Sequence, residues 1–170
     1  MTIFHRHIPS PVGPLLIVAS DTGLHAIEFP SNRHPVKHGS SWQPGDHAVL
    51  RETQAQLDAY FAGTLKAFDL PLAPHGTDFQ EQVWTMLASI PYGSTWSYAD
   101  LAIALGKPTA TRAVGAANGR NPLPIVLPCH RVIGSNGALT GFGGGLPTKE
   151  FLLQLEGALP ATAQRSMLFN

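Results

Sequence analysis

Ser97-Tyr-Ala-Asp-Leu-Ala-Ile-Ala-Leu-Gly-Lys-Pro-Thr-Ala-Thr-Arg-Ala-Val-Gly-Ala-Ala-Asn-Gly119 divides into two short helical runs. Ser97 has the side chain to cap a first helix that runs to Gly106, and Thr109, after Lys107-Pro108, is placed to cap a second that stops near Asn118-Gly119. Two helices joined by about three residues have helix-turn-helix spacing, which any helical hairpin shares. The second helix narrows the choice. From Ala110 to Ala117 its side chains are nearly all small, and Arg112 is the single long basic one. Reading base edges takes Asn, Gln and several Arg, so this helix is unsuited to an operator-reading regulator. Small side chains let a helix backbone approach a narrow groove, with Arg112 projecting into the duplex, which fits recognition of a lesion or of DNA shape.

Upstream, the pattern is that of a sheet. Ile3–Ile8, Leu15–Ser20 and Leu24–Phe29 are short apolar or alternating runs, with Asp21-Thr-Gly23 as a turn between the last two. Residues 30–46, rich in Pro, His, Ser and Gly, are expected to form a loop. A helix follows with Leu50, Leu57, Tyr60 and Phe61 on one face and Gly63 as its stop, and Phe68–Leu72 can return to the sheet. After a linker at Ala73-Pro-His-Gly76, Thr77 and Gln80 make a capping box for a helix with Phe79, Val83, Met86, Leu87 and Ile90 in one stripe. A last helix is expected from about Thr148 to Gly157, with Phe151, Leu152 and Leu155 inward.

The chemistry concentrates in Leu127-Pro-Cys-His-Arg-Val-Ile133. Cys129, the only cysteine, follows an Ile-Val-Leu run that reads as a buried strand. A free thiol titrates near ~8.5, so a reactive buried cysteine needs a base. Neighbours on an extended strand point to opposite faces, so His130 can serve Cys129 only if the chain turns there or through a water. A carboxylate behind the imidazole would fix its tautomer, and Glu156 is one of only two acids beyond Asp100. Two readings stay open on residue types alone, a nucleophile or an inert core cysteine. The glycines of Gly141-Phe-Gly-Gly-Gly145 are equally compatible with close backbone approach to a ligand and with a plain loop.

Bulk properties limit the alternatives. The chain has 170 residues, 44% hydrophobic and 13% charged, and contains no apolar run of the ~18–20 residues a membrane span needs. A lone cysteine makes no internal disulfide and the N-terminus lacks a secretory pattern, so a cytoplasmic setting is expected. Net charge is zero, yet Leu101 to Lys149 carries Lys107, Arg112, Arg120, Arg131 and Lys149 with no acid at all. Because exposed charges are screened beyond about 8 Å, a local basic face can bind phosphate on a neutral protein.

At Pro128-Cys-His-Arg-Val-Ile133, Arg112-Ala-Val-Gly115, Asn121-Pro122, Gly141-Phe-Gly-Gly-Gly-Leu146 and Lys149 to Gly157 the sequence resembles the O6-alkylguanine-DNA alkyltransferases, also called methylated-DNA–protein-cysteine methyltransferases. The resemblance covers about residues 77 to 158 and is specific, because five ordered motifs agree; the N-terminal match is loose. It implies an α/β protein, with a small RNase H-like sheet-plus-helix domain over 1–73. A mostly helical domain over 74–170 would carry a winged-helix-like helix-turn-helix, the DNA-binding surface and the alkyl acceptor. It further implies direct-reversal DNA repair by a monomer without a cofactor. An alkyl group would pass once and irreversibly from O6-alkylguanine in double-stranded DNA to Cys129, with O4-alkylthymine a second candidate substrate.

In that scheme Thr111, Arg112, Ala113, Gly115 and Ala116 face the minor groove, and Arg112 fills the gap left by the flipped nucleotide. Tyr98 presses on the adjacent phosphate and hydrogen-bonds the leaving guanine. Phe142, Gly143 and Val132 line the base pocket, Glu156 orients His130, His130 takes the thiol proton through a water, and Asn121 braces the active-site turn. Phe142 stands where most relatives have tyrosine, so a missing hydroxyl is expected to alter substrate range or rate. With no second cysteine and with scattered histidines, His5 and His7 among them, no structural metal is expected. Two weaker readings compete. A non-enzymatic lesion sensor is disfavoured because such relatives lack the cysteine. A cysteine hydrolase using Cys129, His130 and Glu156 needs an oxyanion hole and has no use for a helix-turn-helix.

Overall fold

The computed structural model describes residues 1–31, 35 and 42–159. The N-terminal half is built on a four-stranded sheet in the order β3-β2-β1-β4, from β1 (Ile3–Ile8), β2 (Leu15–Ser20), β3 (Gly23–Glu28) and β4 (Trp42–Pro44). The first three strands are antiparallel neighbours and β4 runs parallel to β1. The central strand, Leu-Leu-Ile-Val-Ala-Ser, is buried throughout, so both its faces are covered. Leu15, Ile17 and Ala19 join the main core with Leu50, Leu57 and Tyr60 of α1 (Ala48–Phe61), while Leu16 and Val18 pack with Ala26, Ile3 and Trp42. That second cluster corrects the expected loop over 30–46. Residues 32–34 and 36–41 lie outside the described residues, but Trp42–Pro44 is an edge strand paired with β1, and Trp42 packs on the Leu16, Val18 and Ala26 face of the sheet. Pro44 is tolerated there since an edge strand does not need every N–H.

α1 is capped by His47, whose Nδ1 accepts from the Val49 N–H at 3.1 Å, and it ends before Gly63 at φ +79. Leu72 makes a single parallel bridge to Leu24, the only return of the Phe68–Leu72 segment to the sheet. The expected box at Thr77 and Gln80 is formed, at 3.0 and 3.1 Å, and opens α2 (Asp78–Leu87). Ser97 caps α3 (Tyr98–Ala104) in a second box with Asp100.

The second helix of this pair, α4 (Thr111–Gly119), starts one residue later than the sequence suggests. Ala110, not Thr109, holds the cap position, and no side chain caps the helix. Val114, Ala117 and Asn118 face inward, and Trp84 of α2 donates its indole N–H to the Ala117 carbonyl at 2.8 Å. A two-residue parallel ladder joins β5 (Trp96–Ser97) to β6 (Val132–Ile133) and ties the start of α3 to the segment just beyond Cys129. α5 (Leu146–Leu155) begins at a Gly145 cap, and it buries Lys149, Leu152 and Leu153 rather than Phe151 and Leu155, which are half-buried.

The outer edge of β3 meets the C-terminal half. Leu24 pairs with the 71–73 segment, and the Ile27 N–H donates to the Pro122 carbonyl at 2.9 Å. The sheet therefore ends on the loop that leads to Cys129, and a strand edge that would otherwise be open is used to hold that loop.

Candidate active site

The Ile-Val-Leu run before Cys129 is a turn, not the buried strand expected from its apolar side chains. Prolines at 122, 124 and 128 remove the donors a central strand would need. Ile125 takes φ +74, the one positive value of a non-glycine among the described residues, and a β-branched side chain makes this a strained position. Asn121 clamps the turn across Ile125. Its Oδ1 accepts from the Leu123 N–H at 3.0 Å and its Nδ2 donates to the Leu127 carbonyl at 2.7 Å. Residues Cys129–Arg131 then form a single 3-10 turn, so the strand geometry that would have separated Cys129 from His130 does not arise.

His130 is fully buried, with Nε2 2.7 Å from Glu156 Oε2. Burial alone would push the Glu156 carboxyl up, but hydrogen bonds from His130 and Arg131 outweigh it and hold its pKa at about 2. The carboxylate is therefore ionised, Nε2 carries the proton facing it, and Nδ1 is the basic nitrogen. Nδ1 is buried and has no hydrogen-bond partner among the described residues. Burial holds the imidazole below its usual pKa against the pull of Glu156, so His130 is neutral at physiological pH. The Cys129 thiol, 5% exposed, is pushed up by burial, with Asn121 and Lys149 opposing the shift. The resting arrangement is thus a thiol and a neutral base, which needs a proton transfer before the sulfur becomes a nucleophile.

Sequence reasoning missed the groups that support this pair. Arg131 donates Nε to Glu156 Oε1 at 2.8 Å, Nη2 to Oε2 at 3.0 Å and Nη1 to the Ile90 carbonyl at 2.7 Å. Tyr60 donates its hydroxyl to Glu156 Oε2 at 2.6 Å. Lys149 is completely buried, its Nζ shared between the carbonyls of Val132 at 2.6 Å and Thr140 at 2.8 Å, and burial draws its pKa down to about 8. Arg131 and Lys149 were therefore wrongly counted in the basic face, which reduces to the exposed Lys107, Arg112 and Arg120. Arg131 stands next to a predicted base and Lys149 in a quoted motif, so both were visible as residues. Nothing local marks Tyr60.

Cys129 lines a narrow cavity of about 20 Å³, room for a single water, with Asn121, Asn118, Phe142, Gly143 and Phe29. Phe29 comes from the N-terminal half, and its ring stands 5.4 Å from that of Phe142. A Cβ on Gly144 would fall 2.5 Å from the Phe29 ring, so the glycine loop is glycine there because the aromatic wall occupies the space. A second cavity of about 320 Å³, lined by Tyr98, Gly115, Ala116, Gly119, Arg120 and the same loop, shares Gly119, Gly141, Phe142 and Gly143 with the first. It links the surface of α4 to the thiol. On that surface Arg112, Ala113 and Ala116 are exposed and Thr111 and Gly115 half-exposed. Tyr98 stands between α4 and the glycine loop; its hydroxyl donates to the Thr140 carbonyl at 3.2 Å. Val132, expected in the base pocket, is fully buried and lines neither cavity; its carbonyl accepts from Lys149 Nζ. A larger groove of about 660 Å³ between α2 and the end of α3 contains Asp78, Glu81 and Met86 but neither cysteine nor histidine. Among the described residues no three His, Cys, Asp or Glu side chains converge as metal ligands, and no helix is long and apolar enough to cross a membrane.

Fold and site together define a protein with one buried, base-backed thiol behind a helix-turn-helix. Residues 78–158 match the family model for the DNA binding domain of 6-O-methylguanine DNA methyltransferase, and residues 3–74 match the model for its ribonuclease-like domain. The chain belongs to this family. The methylated-DNA--protein-cysteine methyltransferase of Methanosarcina acetivorans is 48% identical over 156 residues, 92% of this chain and 99% of that protein. The protein of the same name from Mycobacterium bovis is 48% identical over 160 residues, 91% of this chain and 92% of that one. Among solved structures, Mycobacterium tuberculosis OGT in complex with DNA matches with a TM-score of 0.85 at 44% identity, covering 98% of this chain and 99% of that one. The O6-methylguanine-DNA methyltransferase of Pyrococcus kodakaraensis matches at 0.63 and 27% identity, over 92% and 99% of the two chains.

Proposed function

We propose that this protein repairs DNA by direct reversal, moving an alkyl group from O6-alkylguanine to Cys129 in a single irreversible turnover. The observation that carries the reading is the buried His130–Glu156 pair at 2.7 Å, its second imidazole nitrogen unpartnered, next to the only cysteine. The thiol proton passes through a bridging water to His130 Nδ1, and Glu156, held in place by Arg131, stabilises the imidazolium that forms. The sulfur attacks the alkyl carbon in line; the S–C bond forms as the C–O6 bond breaks, and guanine leaves with the bonding pair. The alkyl donor is the substrate itself, so no cofactor takes part. A thioether offers no easy return, so the protein is consumed.

The chain divides its labour at residues 73 and 74. The first part supplies a wall of the pocket, and the second carries the DNA surface and the acceptor. The exposed face of α4, made of Thr111, Arg112, Ala113, Gly115 and Ala116, suits a minor groove because small side chains allow close backbone approach. Arg112, the long cation on that face, takes the place of the extruded nucleotide. The base enters between Tyr98 and the glycine loop to meet Phe142 and Gly143. Tyr98 donates a hydrogen bond to the departing guanine, and Asn121 keeps the strained turn in place. A free thiol as acceptor suits a reducing, cytoplasmic compartment, and one molecule carries the complete site, which suits a monomer.

Incubation with duplex DNA containing O6-methylguanine, followed by intact mass and peptide mapping, tests the reading. A gain of one CH2 unit per molecule is expected on Cys129, absent in Cys129→Ser. No adduct with excess substrate overturns it in favour of a sensor, and multiple turnover without an adduct would point to a hydrolase.

A further inference from the structure

Glu156 Oε2 is crowded. Tyr60 Oη at 2.6 Å, His130 Nε2 at 2.7 Å and Arg131 Nη2 at 3.0 Å all donate to this one oxygen, while Oε1 has only Arg131 Nε. A carboxylate oxygen has about two lone-pair sites, so the three donors compete. Arg131 is also held by the Ile90 carbonyl and lies 5.6 Å from the Tyr92 ring centre, so its position does not depend on Tyr60. Tyr60 comes from α1, 96 residues before Glu156 in the chain. It is completely buried, wedged by the rings of Phe61 and Phe68 at 5.3 and 5.5 Å. Burial and the facing carboxylate keep its phenol well above the usual pKa, so it donates at every pH at which the protein is folded.

We propose that Tyr60 is a positioning residue for the alkyl acceptor, through which the N-terminal half sets how strongly His130 holds a proton. This rests on the reading of Cys129 and His130 given above. By drawing on Glu156 Oε2, the phenol weakens the carboxylate's grip on the His130 N–H and makes the imidazole a less avid base. The groups that bear on His130 are Glu156 and Lys149 of the α5 segment, Arg131 and Cys129 of the 3-10 turn, and Tyr60 of α1; Tyr92 also faces Glu156. Of these Tyr60 alone is a neutral donor to the carboxylate that lies outside the C-terminal half.

The test is Tyr60→Phe, which keeps the ring and removes the proton. Single-turnover transfer from O6-methylguanine duplex rises out of acid as His130 loses its proton. Without the phenol His130 holds that proton longer, so the rising limb should move to higher pH, by roughly half a unit to one unit. The His130 imidazole, followed by 15N NMR without DNA, should show the same rise and a downfield shift of its Nε2 proton. Site-specific 3-fluorotyrosine at position 60, a stronger donor of almost the same size, should move both readouts the other way. Superimposable pH profiles and unchanged His130 resonances would overturn the proposal. So would a uniform loss of rate with no pH shift, which marks a merely structural role. If the wild-type protein transfers no alkyl group the functional reading fails, and the NMR arms still decide the claim about Tyr60.

Discussion

Replacing Glu156 by glutamine removes one buried charge and almost none of the side chain's volume. That carboxylate, 5% exposed, receives both Arg131 bonds and those of His130 and Tyr60. Without it the Arg131 guanidinium is left in the core facing the Ile90 carbonyl and the Tyr92 ring. Breaking a buried ion pair from one side costs about 3–5 kcal/mol. A protein of this size is stable by roughly 5–15 kcal/mol and loses about 2–4 °C of Tm per kcal/mol, so Tm should fall by about 6–20 °C. The pH dependence should change as well. Glu156 titrates near 2 in the folded protein against an ordinary 4.5, so its stabilisation is complete above 4.5 and lost as pH falls toward 2. The difference is worth about 3 kcal/mol. His130, held neutral, adds a loss of the same sign that begins below its ordinary 6.5, because the unfolded chain takes a proton the folded one refuses. Urea unfolding followed by circular dichroism over a pH series measures both effects. Glu156→Gln should be less stable at neutral pH and show a shallower acid slope. A loss under about 1 kcal/mol, or an unchanged slope, would refute the assignment of a buried ion pair. Glu156→Leu combined with Arg131→Met should recover much of the lost stability, since it leaves no unpaired charge.

Gly144→Ala should cost about 1–3 kcal/mol in denaturant titrations and slow transfer, because the new Cβ falls 2.5 Å from the Phe29 ring that walls the pocket; wild-type stability and rate would show that Phe29 yields freely. Arg112→Ala should impair transfer from duplex DNA more than transfer from a free O6-alkylguanine base, and equal losses on both would remove the role of filling the duplex. With Lys107, Arg112 and Arg120 as the exposed cations of the segment, log binding constant against log salt should have a slope near about −3, by the usual ~0.9 per phosphate contact. A flat response would exclude phosphate contacts by this face.

Local rules made much of the molecule legible. Apolar runs bounded by turn residues delimit β1, β2 and β3; the Thr77 and Ser97 boxes open α2 and α3 because capping needs only side chains three residues away. The pattern Pro-Cys-His-Arg singled out Cys129 and His130 as a candidate acceptor and base. Where the backbone departs from the common rules, the sequence misled. The apolar Ile125–Leu127 run reads as a strand, but prolines flank it on both sides and Asn121 clamps the turn in which Ile125 has positive φ. Lys149 and Arg131 read as surface cations because charge says nothing of burial; only the fold supplies the carbonyls and the carboxylate that make their burial tolerable.

By itself, then, the sequence singled out the candidate groups: the sulfur of Cys129, the imidazole of His130, the carboxylate of Glu156 and the small-residue helix that carries Arg112. Tertiary structure decided how those groups behave. Tyr60 and Phe29 reach the site from the N-terminal half, and the Ile27 N–H anchors the loop before Cys129. A hydrogen bond between residues 96 positions apart leaves no periodic or spacing signal, because it depends on how two folded halves meet and not on any local run of the chain.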